Sequence, residues 1–417
     1  MAKYNILVVP SDNIGGVGFY RSTQPHIQLE KQFPDEFSVT IDMQPNWRDL
    51  HSFDKFDLIH IHKGLFRDMQ GFYLAMEYFK LQGIVTVMDI DDHWQLSPHH
   101  PQYHSNKIYD YAGLIMKNIR LFDYVTTTTP IFAERIAKIN KNVKTFPNAI
   151  DPTDERFKVN KPKSDLIRVG LIMGSSHEYD MMLLKDVASL IGDSLEKVRF
   201  VLCGFDLRGT VKIINKDTGQ VNERPITPKE SVWYRYEKML TDDYKIVSKD
   251  YKEFLELFLN NVQYPDVEKE HYKRCWTKDM DHYYEHYSEV DVLLAPLEVN
   301  EFNLVKSPLK VAECAFSHTA IIASEVGPYT LDLHNAIKFG GEIDPDGNAL
   351  LVKPSKNHKD WAKYVKKLVE NPELLKQLQD NLYESVHEKY DLRNVTKDRA
   401  EFYTEIINNK KNEKSQQ

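Results

Sequence analysis

The feature that most constrains the fold is an alternation of short apolar runs with longer segments of helical periodicity. This alternation is typical of parallel sheets whose strands are joined by helical crossovers. It occurs in two successive series, the first with apolar runs at 5–10, 37–42, 57–62, 84–90, 124–129 and 144–147, and the second at 166–173, 198–204, 291–296, 320–324 and 349–354. The pattern therefore predicts an α/β protein with two doubly wound, Rossmann-like domains.

The length of the chain sets the number of domains. Its 417 residues are too many for one ordinary core and suit two domains of about 150 to 250 residues each. The polar, proline-containing stretch 151–165 is the best linker. We therefore expect a first domain at 1–155, completed by a C-terminal helix at 393–410, and a second domain at 156–392.

One stretch, 205–288, does not follow the alternation. It is rich in tyrosine, tryptophan and charged residues. We expect a helical insertion in the second domain, whose aromatic side chains pack on that domain. The alternative is that Arg274 or the neighbouring aromatic residues line a cleft.

Composition narrows the class of protein. The net charge of −8 argues against a surface that binds nucleic acid through its phosphates. Three widely spaced cysteines (Cys203, Cys275 and Cys314) indicate reduced thiols in a cytosolic protein. No signal-peptide core is present, and no apolar run approaches the roughly 20 residues of a membrane span. We expect a cytoplasmic protein, at most peripheral at the inner face of the cytoplasmic membrane.

Ligands of open parallel sheets bind at the carboxyl ends of the strands, so the loops that follow strands deserve most weight. The loop after the first strand contains Gly15, Gly16 and Gly18, with Arg21 close behind. Glycines that lead into a helix N-terminus, expected near Ser22, can form an anion site. The alternative is an ordinary turn.

The loop "GSSH" at 174–177 follows the first strand of the second series. Ser175 and Glu178 have the spacing of a capping box. Capping does not require Gly174, Ser176 and His177, which offer backbone N–H groups, a hydroxyl and an imidazole at a helix N-terminus. That combination favours a phosphate site.

A similar arrangement occurs in "FNLVKSPLKVAECAF" at 302–316. Ser307 and Pro308 are expected as N-cap and first helical residue. Lys306 then lies in the loop, while Lys310 and Glu313 project from the first two turns of the helix. The alternative for these two is a surface ion pair.

The loop "MDIDDHW" at 88–94 gathers Asp89, Asp91 and Asp92 after a strand. These carboxylates could serve acid–base chemistry, bind sugar hydroxyls or hold a divalent metal; the alternative is a solvated acidic turn. In the preceding strand, His60 and His62 share one face. We expect one of them to be structural, and Lys63 to be the better cleft candidate.

Several segments together resemble the GT-B glycosyltransferases, in particular the large retaining family 4. "FPNAIDP" (146–152) is similar to the family's "PNGID" segment, and "EVDVLLAPL" (289–297) to its "ADVFVLPS" strand. "ECAFSHTAIIASEVG" (313–327) matches "EAMACGLPVIASDVG" in register, and "DPDGNALLVKP" (344–354) resembles the family's "DGENGLLVPP" loop. "GSSHEYD" and "FNLVKSPLK" look like motifs of a bacterial subgroup that assembles surface polysaccharides and glycans. The resemblance implies two Rossmann-like domains that face a central cleft.

The resemblance also implies a nucleotide-sugar donor on the second domain and a glycan, polysaccharide or lipid-linked acceptor on the first. Glu313 matches the glutamate that binds the ribose of the nucleotide. The family's other glutamate falls on Val305, so Glu301, or Asn303 with Lys306, would replace it. Lys306, Lys310 and the 174–177 loop would replace the usual cationic clamp on the diphosphate. The residues we expect to bind the donor are Gly16, Gly18, Arg21, Gly174, Ser175, Ser176, His177, Asn303, Ser307, Lys310 and Glu313.

For the chemistry, the resemblance implies retention, with no metal and no other cofactor. Asp89, Asp91, Asp92 and Lys306 are the expected catalytic residues. Three alternatives remain open from the sequence. One is a nucleotide-sugar 2-epimerase of the same fold, and a second is a non-catalytic nucleotide-sugar-binding partner. The third is a metal-dependent, single-domain glycosyltransferase with 89–91 as its metal motif, which two complete sheet series argue against.

Overall fold

The computed structural model describes residues 3–12, 15–206, 209–214, 221–227, 230–241, 271–354 and 358–416. The chain divides into two compact units. Unit 1 comprises Met1–Phe157, Asn300–Ala312 and Val386–Gln417, and unit 2 comprises Lys158–Val299 and Glu313–Ser385. Three boundaries therefore fall in the C-terminal half of the chain, and the segment 300–312 is grouped with unit 1.

Unit 1 contains one parallel six-stranded sheet in the order β2-β1-β3-β4-β5-β6. Its strands are β1 (Tyr4–Val9), β2 (Phe37–Ile41), β3 (Leu58–His62), β4 (Val85–Ile90), β5 (Tyr124–Thr127) and β6 (Val143–Thr145). Its helices are α1 (Gly16–Gly18), α2 (Gln24–Gln32), α3 (Met69–Gln82), α4 (Tyr103–Ile108), α5 (Tyr111–Leu121), α6 (Pro130–Ile136), α10 (Glu301–Leu304) and α14 (Leu392–Ser415).

The local sequence explains where the elements of unit 1 begin and end. Every residue of β3 and of β4 is buried, as expected for central strands with helices on both faces. Helix α3 begins after Asp68, whose carboxylate accepts from the backbone N–H of Gly71, and ends at Gly83 in the left-handed conformation (φ 71°). Helix α6 begins with Pro130 after the N-cap Thr129.

Unit 2 contains a second parallel six-stranded sheet, in the order β11-β8-β7-β12-β13-β14, and a separate antiparallel hairpin, β9-β10. Its strands are β7 (Ile167–Ile172), β8 (Val198–Phe205), β9 (Thr210–Ile214), β10 (Val221–Pro225), β11 (Tyr272–Trp276), β12 (Val292–Ala295), β13 (Ala320–Ser324) and β14 (Leu350–Val352). Its helices are α7 (Glu178–Met181), α8 (Val187–Leu190), α9 (Val232–Thr241) and α12 (Lys359–Glu370), and two more helices cross the unit boundary, α11 (Leu309–Phe316) and α13 (Pro372–Tyr390).

The two sheets confirm the predicted α/β class with two doubly wound domains. Each strand order reverses once, between β1 and β3 in unit 1 and between β7 and β12 in unit 2. The crevice outside the carboxyl ends of the strands at such a reversal is the usual ligand site of an open α/β sheet. The fold therefore directs attention to the loops that follow β1, β3 and β4, and to the loop that follows β7.

Within the described residues, the stretch 205–288, predicted to be a helical insertion, contains strands as well as a helix. The stretch holds the hairpin β9-β10, helix α9 and strand β11, which extends the sheet of unit 2 by pairing with β8; residues 242–270 lie outside the described residues. The expected aromatic packing is present, because Trp233, Tyr236 and Tyr272 belong to the core of unit 2. Arg274 is buried and forms a bidentate ion pair with Glu237, with both N···O distances at 2.6 Å, so it does not line a cleft.

Among the helices that the structure describes, none combines the length and the apolar character required to cross a membrane.

Candidate functional site

Asp89 and Arg21 form a buried ion pair in unit 1. The carboxylate of Asp89 accepts from Nε and Nη2 of Arg21 at 2.9 and 2.7 Å and from the hydroxyl of Thr126 at 2.6 Å. Arg21 also donates to the carbonyl of Phe146 at 2.6 Å and to the side-chain oxygen of Asn148 at 3.0 Å. Burial alone would raise the pKa of Asp89, but Arg21 outweighs it and holds that pKa below the ordinary value.

This pair bears on two expected site residues. The side chains of Arg21 and Asp89 are 1% and 0% exposed, so neither can touch a ligand while the pair holds. The geometry assigns them to the interior of unit 1 and argues against direct donor binding by Arg21 and direct catalysis by Asp89. The Arg21–Asp89 pair instead holds the carboxyl end of β4 in place, directly before Asp91 and Asp92.

Asp91 is the centre of a second charged cluster. Its Oδ1 atom lies 3.1 Å from Nε2 of His62 and 3.1 Å from Nζ of Lys63. The other ring nitrogen of His62 lies 2.7 Å from the hydroxyl of Ser11. Burial would raise the pKa of Asp91, but Lys63 and His62 lower it well below the ordinary value. Asp91 is therefore an ionised carboxylate that two partners hold in place.

Asp92 has a different environment from its two neighbours. Its side chain is 35% exposed, and Nζ of Lys63 lies 3.6 Å from its Oδ2 atom. Burial and the negative charge of Asp91 raise the pKa of Asp92 above the ordinary value, against the opposing effect of Lys63 and Lys306. Of the three aspartates in the acidic loop, Asp92 is thus the one that combines solvent access with a pKa above the ordinary value.

The segment 300–306 contributes a cation near this carboxylate. Asn300 caps α10 by accepting from the backbone N–H of Asn303 at 2.9 Å. Nζ of Lys306 lies 5.1 Å from the ring centroid of Phe302, on which His100 also packs at 5.4 Å between centroids. Burial, followed by the charge of Lys306, lowers the pKa of His100, and the same charge opposes the rise in the pKa of Asp92. Lys306 and Asp92 are thus close enough for their charges to interact.

The position where the resemblance expects a glutamate holds a core residue instead. Val305 is fully buried in the hydrophobic core of unit 1. Glu301, one expected substitute, pairs with Arg135 at 3.0 Å and is 63% exposed. Asn303, the other, is buried in unit 1. The expectation that Ser307 caps α11 is also wrong, because its Oγ is buried without a hydrogen-bond partner among the described residues and the helix begins at Leu309.

The glycine loop after β1 already holds an anion. The carboxylate of Asp12 accepts from the backbone N–H groups of Gly15 at 2.6 Å and Gly18 at 3.1 Å. A Cβ atom at Gly18 would lie 2.2 Å from the carbonyl oxygen of Asp12, so the turn requires glycine there. The donor groups that were expected to bind a phosphate at Gly16 and Gly18 therefore lie beside the negative charge of Asp12, which disfavours a second anion.

The 174–177 loop of unit 2 is exposed, but it is not a capping box. Helix α7 begins after His177, whose Nδ1 lies 2.7 Å from Oδ2 of Asp180. Glu178 pairs with Arg235 instead of reaching back to Ser175. The hydroxyl of Tyr236 accepts from the backbone N–H of His177 at 2.9 Å and so holds the loop in place. Gly174, Ser175 and Ser176 remain exposed, and a Cβ atom at Gly174 would meet no other atom within 4 Å.

Glu313 lies in the interior of unit 2. It is 0% exposed, and its Oε2 atom accepts from the hydroxyl of Tyr287 at 2.6 Å. Burial, followed by the charge of Glu313, raises the pKa of Tyr287 far above its ordinary value, so the phenol keeps its proton and donates it. Glu313 therefore stabilises the packing of α11 in this structure. Lys310, one turn earlier, is half-buried and is grouped with unit 1.

Several residues that contact the predicted site residues were not themselves predicted from the sequence. Thr126 and Asn148, which complete the Asp89–Arg21 pair, lie in "YVTTTT" and "FPNAIDP", and Tyr287 lies in the stretch assigned to an insertion. Each was visible only as part of a strand or a motif. The pairing of a β4 aspartate with an arginine 68 positions earlier requires the three-dimensional fold.

A second buried polar cluster in unit 1 predicts loss of stability in acid. Tyr403 of α14 lies within 3.0 Å of ring nitrogens of both His26 and His60. Burial, helped for both by the charge of Arg399, lowers the pKa of His26 and of His60 well below the ordinary value. Both rings therefore stay neutral when the chain is folded, whereas in the unfolded chain they take up protons below about pH 6.5.

The unfolded state then binds more protons than the folded state, and the free energy of unfolding falls as the pH falls below about 6.5. With both histidines contributing fully, the slope is about 2.7 kcal/mol per pH unit. Urea unfolding at pH 7 and pH 5.5 measures this loss, which His60→Gln should reduce. The exposed His51→Gln is the matched control and should leave the loss unchanged. An identical pH dependence for His60→Gln and wild type would remove His60 from this explanation.

Comparison with known proteins gives a match in structure without a match in sequence. No protein-family model matches the chain, and no curated protein does. HepE from Anabaena, solved in complex with UDP-glucose, matches with a TM-score of 0.57 at 12% identity, over 96% of this chain and 100% of that chain. A glycosyltransferase from Rickettsia africae matches with a TM-score of 0.56 at 14% identity, over 98% of this chain and 99% of that chain.

An E. coli trehalose-6-phosphate structure bound with UDP-2-fluoro glucose matches with a TM-score of 0.51 at 9% identity, over 97% of this chain and 99% of that chain. Identities this low define a fold and leave activity open. The chain has the GT-B fold, with two Rossmann-like domains, in agreement with the resemblance found in its motifs.

Proposed function

We propose that the chain is a glycosyltransferase that moves a sugar from a nucleotide-sugar donor to an acceptor. The observation that carries the proposal is the GT-B fold, which this chain shares over nearly its whole length with a structure that holds UDP-glucose. Asp92 also supports the proposal. It is half-exposed at the carboxyl end of a parallel sheet, and its charge interacts with that of Lys306. A donor of the UDP-sugar type is the first to test.

The donor chemistry requires positive charge near the leaving diphosphate. Cleavage of the bond between the sugar and the phosphate leaves growing negative charge on phosphate oxygens, which fixed cations and N–H donors stabilise. We propose Lys306 and Lys310, which both belong to unit 1, for this task. In this scheme no metal is needed, and turnover should persist in EDTA.

The acceptor chemistry is proposed for unit 1. The carboxylate of Asp92 would accept a hydrogen bond from the acceptor hydroxyl and support positive charge that develops on the transferred sugar. Asp91, fixed by His62 and Lys63, would hold the loop that carries Asp92 in position. The leaving phosphate would take the acceptor proton, which corresponds to retention of configuration.

We further propose membership of the retaining family 4 and a hexosyltransferase activity of class EC 2.4. The acceptor would be a glycan, a polysaccharide or a lipid-linked precursor in bacterial polysaccharide biosynthesis, and the protein would be cytoplasmic or peripheral at the membrane. The motifs at 146–152, 289–297 and 313–327 support this assignment.

Thermal unfolding in a panel of nucleotides tests the donor class. A ligand present at about 100 times its Kd adds about 2.7 kcal/mol to the free energy of unfolding. We expect UDP and UDP-glucose to raise the Tm, and GDP and ADP to raise it less. No shift with any nucleoside diphosphate or UDP-sugar would contradict the proposed function.

Lys306→Ala should weaken UDP binding by about tenfold or more, because a charge-assisted hydrogen bond to phosphate contributes about 1.5 to 3 kcal/mol. Isothermal titration calorimetry of wild type and variant gives the two Kd values directly. The control is Lys141→Ala, which removes an exposed lysine from a loop of unit 1 and should leave the Kd unchanged. Equal affinities of Lys306→Ala and wild type would place Lys306 outside the donor site.

A further inference from the structure

Helix α12 of unit 2 has one face that carries mostly lysines. Lys359, Lys363, Lys366 and Lys367 line a groove of about 480 Å³, together with Leu190, Ala362 and Glu370. Spacings of four, three and one residues place these lysines on the same side of the helix. The opposite side, with Trp361, Val365 and Leu368, is buried in the core of unit 2. The basic face is therefore an outer surface on a firmly packed helix.

The groove has an excess of positive charge. Four positively charged residues line the groove, and Glu370 is the one acidic residue among the described groove residues. Glu370 lies four positions after Lys366 and three after Lys367, so it balances part of this charge. The face keeps a net positive charge and is therefore complementary to an anionic surface.

We propose that the basic face of α12 docks on a membrane surface that carries anionic lipid headgroups. Lys366 and Lys367 are half-buried and line the groove. Lysines of this kind cover apolar surface with their aliphatic stems and keep their ammonium groups in water. Near the start of the helix, Nδ1 of His358 lies 3.1 Å from the carbonyl oxygen of Leu183, and the next residue back, Met182, is 50% exposed. Lysines beside an exposed apolar side chain suit the interface of a bilayer.

A soluble nucleic acid suits this face less well. A net charge of −8 on the whole chain opposes a long polyanion that extends beyond one helix. A membrane headgroup layer needs contact with one face of the protein only. The attraction falls off within a Debye length, about 8 Å at physiological salt, so distant acidic residues weaken it little.

Cosedimentation with vesicles tests the proposal independently of any sugar transfer. Wild-type protein should bind vesicles of phosphatidylglycerol and phosphatidylcholine, and should not bind phosphatidylcholine alone. The triple variant Lys363→Gln, Lys366→Gln, Lys367→Gln should bind the anionic vesicles about 100-fold more weakly, since each lysine near an anionic surface contributes about fivefold. Its UDP affinity and Tm should match those of wild type, because these lysines lie outside the candidate donor site.

The matched control removes the same amount of charge elsewhere. Lys107→Gln, Lys141→Gln, Lys397→Gln replaces three exposed lysines of unit 1 and should reduce vesicle binding by less than about threefold. Equal losses in both triple variants would overturn the proposal, because net charge and not the α12 face would then control binding. Binding to polyphosphate in solution through the α12 lysines, without binding to vesicles, would also overturn it.

Discussion

Replacement of Arg21 by methionine should destabilise unit 1 by about 3–5 kcal/mol, because it leaves the Asp89 carboxylate buried without its counter-charge. Both side chains are almost fully buried, and the pair is bidentate with N···O distances of 2.7 and 2.9 Å. The backbone carbonyl of Phe146 loses a donor as well. Urea unfolding followed by circular dichroism measures the change in the free energy of unfolding.

The control for Arg21 is an arginine with the same kind of partner at the surface. Arg48 forms a bidentate pair with Asp68, and the two side chains are 59% and 41% exposed. Arg48→Met should cost no more than about 1 kcal/mol. The double variant Arg21→Met, Asp89→Leu should recover part of the loss, because no uncompensated charge remains. Similar losses for Arg21→Met and Arg48→Met would contradict the buried-pair explanation.

Asp92→Asn should lower kcat by at least about 100-fold, the usual range for a group that acts on a reacting hydroxyl in the transition state. The substitution keeps the shape of the side chain and removes the negative charge that would stabilise positive charge on the transferred sugar. Because Asp92 is assigned to the acceptor side of unit 1, the affinity for UDP should change by less than about threefold.

Steady-state kinetics and calorimetry on the same preparations separate these two effects. Asp35→Asn, which neutralises an exposed carboxylate in a loop of unit 1, is the matched control and should keep the wild-type kcat. A kcat for Asp92→Asn within about twofold of wild type would exclude Asp92 from catalysis. A large loss of UDP affinity with little change in kcat would assign it to the donor instead.

The sequence predicted the layers of the fold well. Apolar runs located the buried strands, and the alternation with helices implied parallel sheets, because a crossover between parallel strands requires a helix-length connection. Strand β11 was missed because "YKRCW" mixes charges with aromatic residues. The strand is stable in the sheet because it pairs with β8 and because Glu237 neutralises the charge of Arg274. Such long-range compensation leaves no local pattern in the sequence.

The sequence predicted the position of the acidic loop after a strand better than the environment of each aspartate. The acidic loop and Lys306 were chosen as candidates because they follow strands of open parallel sheets. The sequence could not rank Asp89, Asp91 and Asp92, because their difference comes from Arg21, His62 and Lys63, which the fold brings from other strands and loops. Likewise, the glycines after β1 resembled an anion site, and the anion that the structure places there is the chain's own Asp12.

The most direct test of the proposed function is the release of UDP from UDP-glucose, measured by mass spectrometry with purified wild-type protein and Asp92→Asn side by side. A mixture of polysaccharide and lipid-linked glycan acceptors is supplied, with UDP-galactose and UDP-N-acetylglucosamine as parallel donors. We expect wild type to release UDP from at least one donor, with a sugar transferred to acceptor, and Asp92→Asn to do so at least about 100-fold more slowly. Binding of UDP by wild type without release from any of these donors, or equal release by both proteins, would contradict the account.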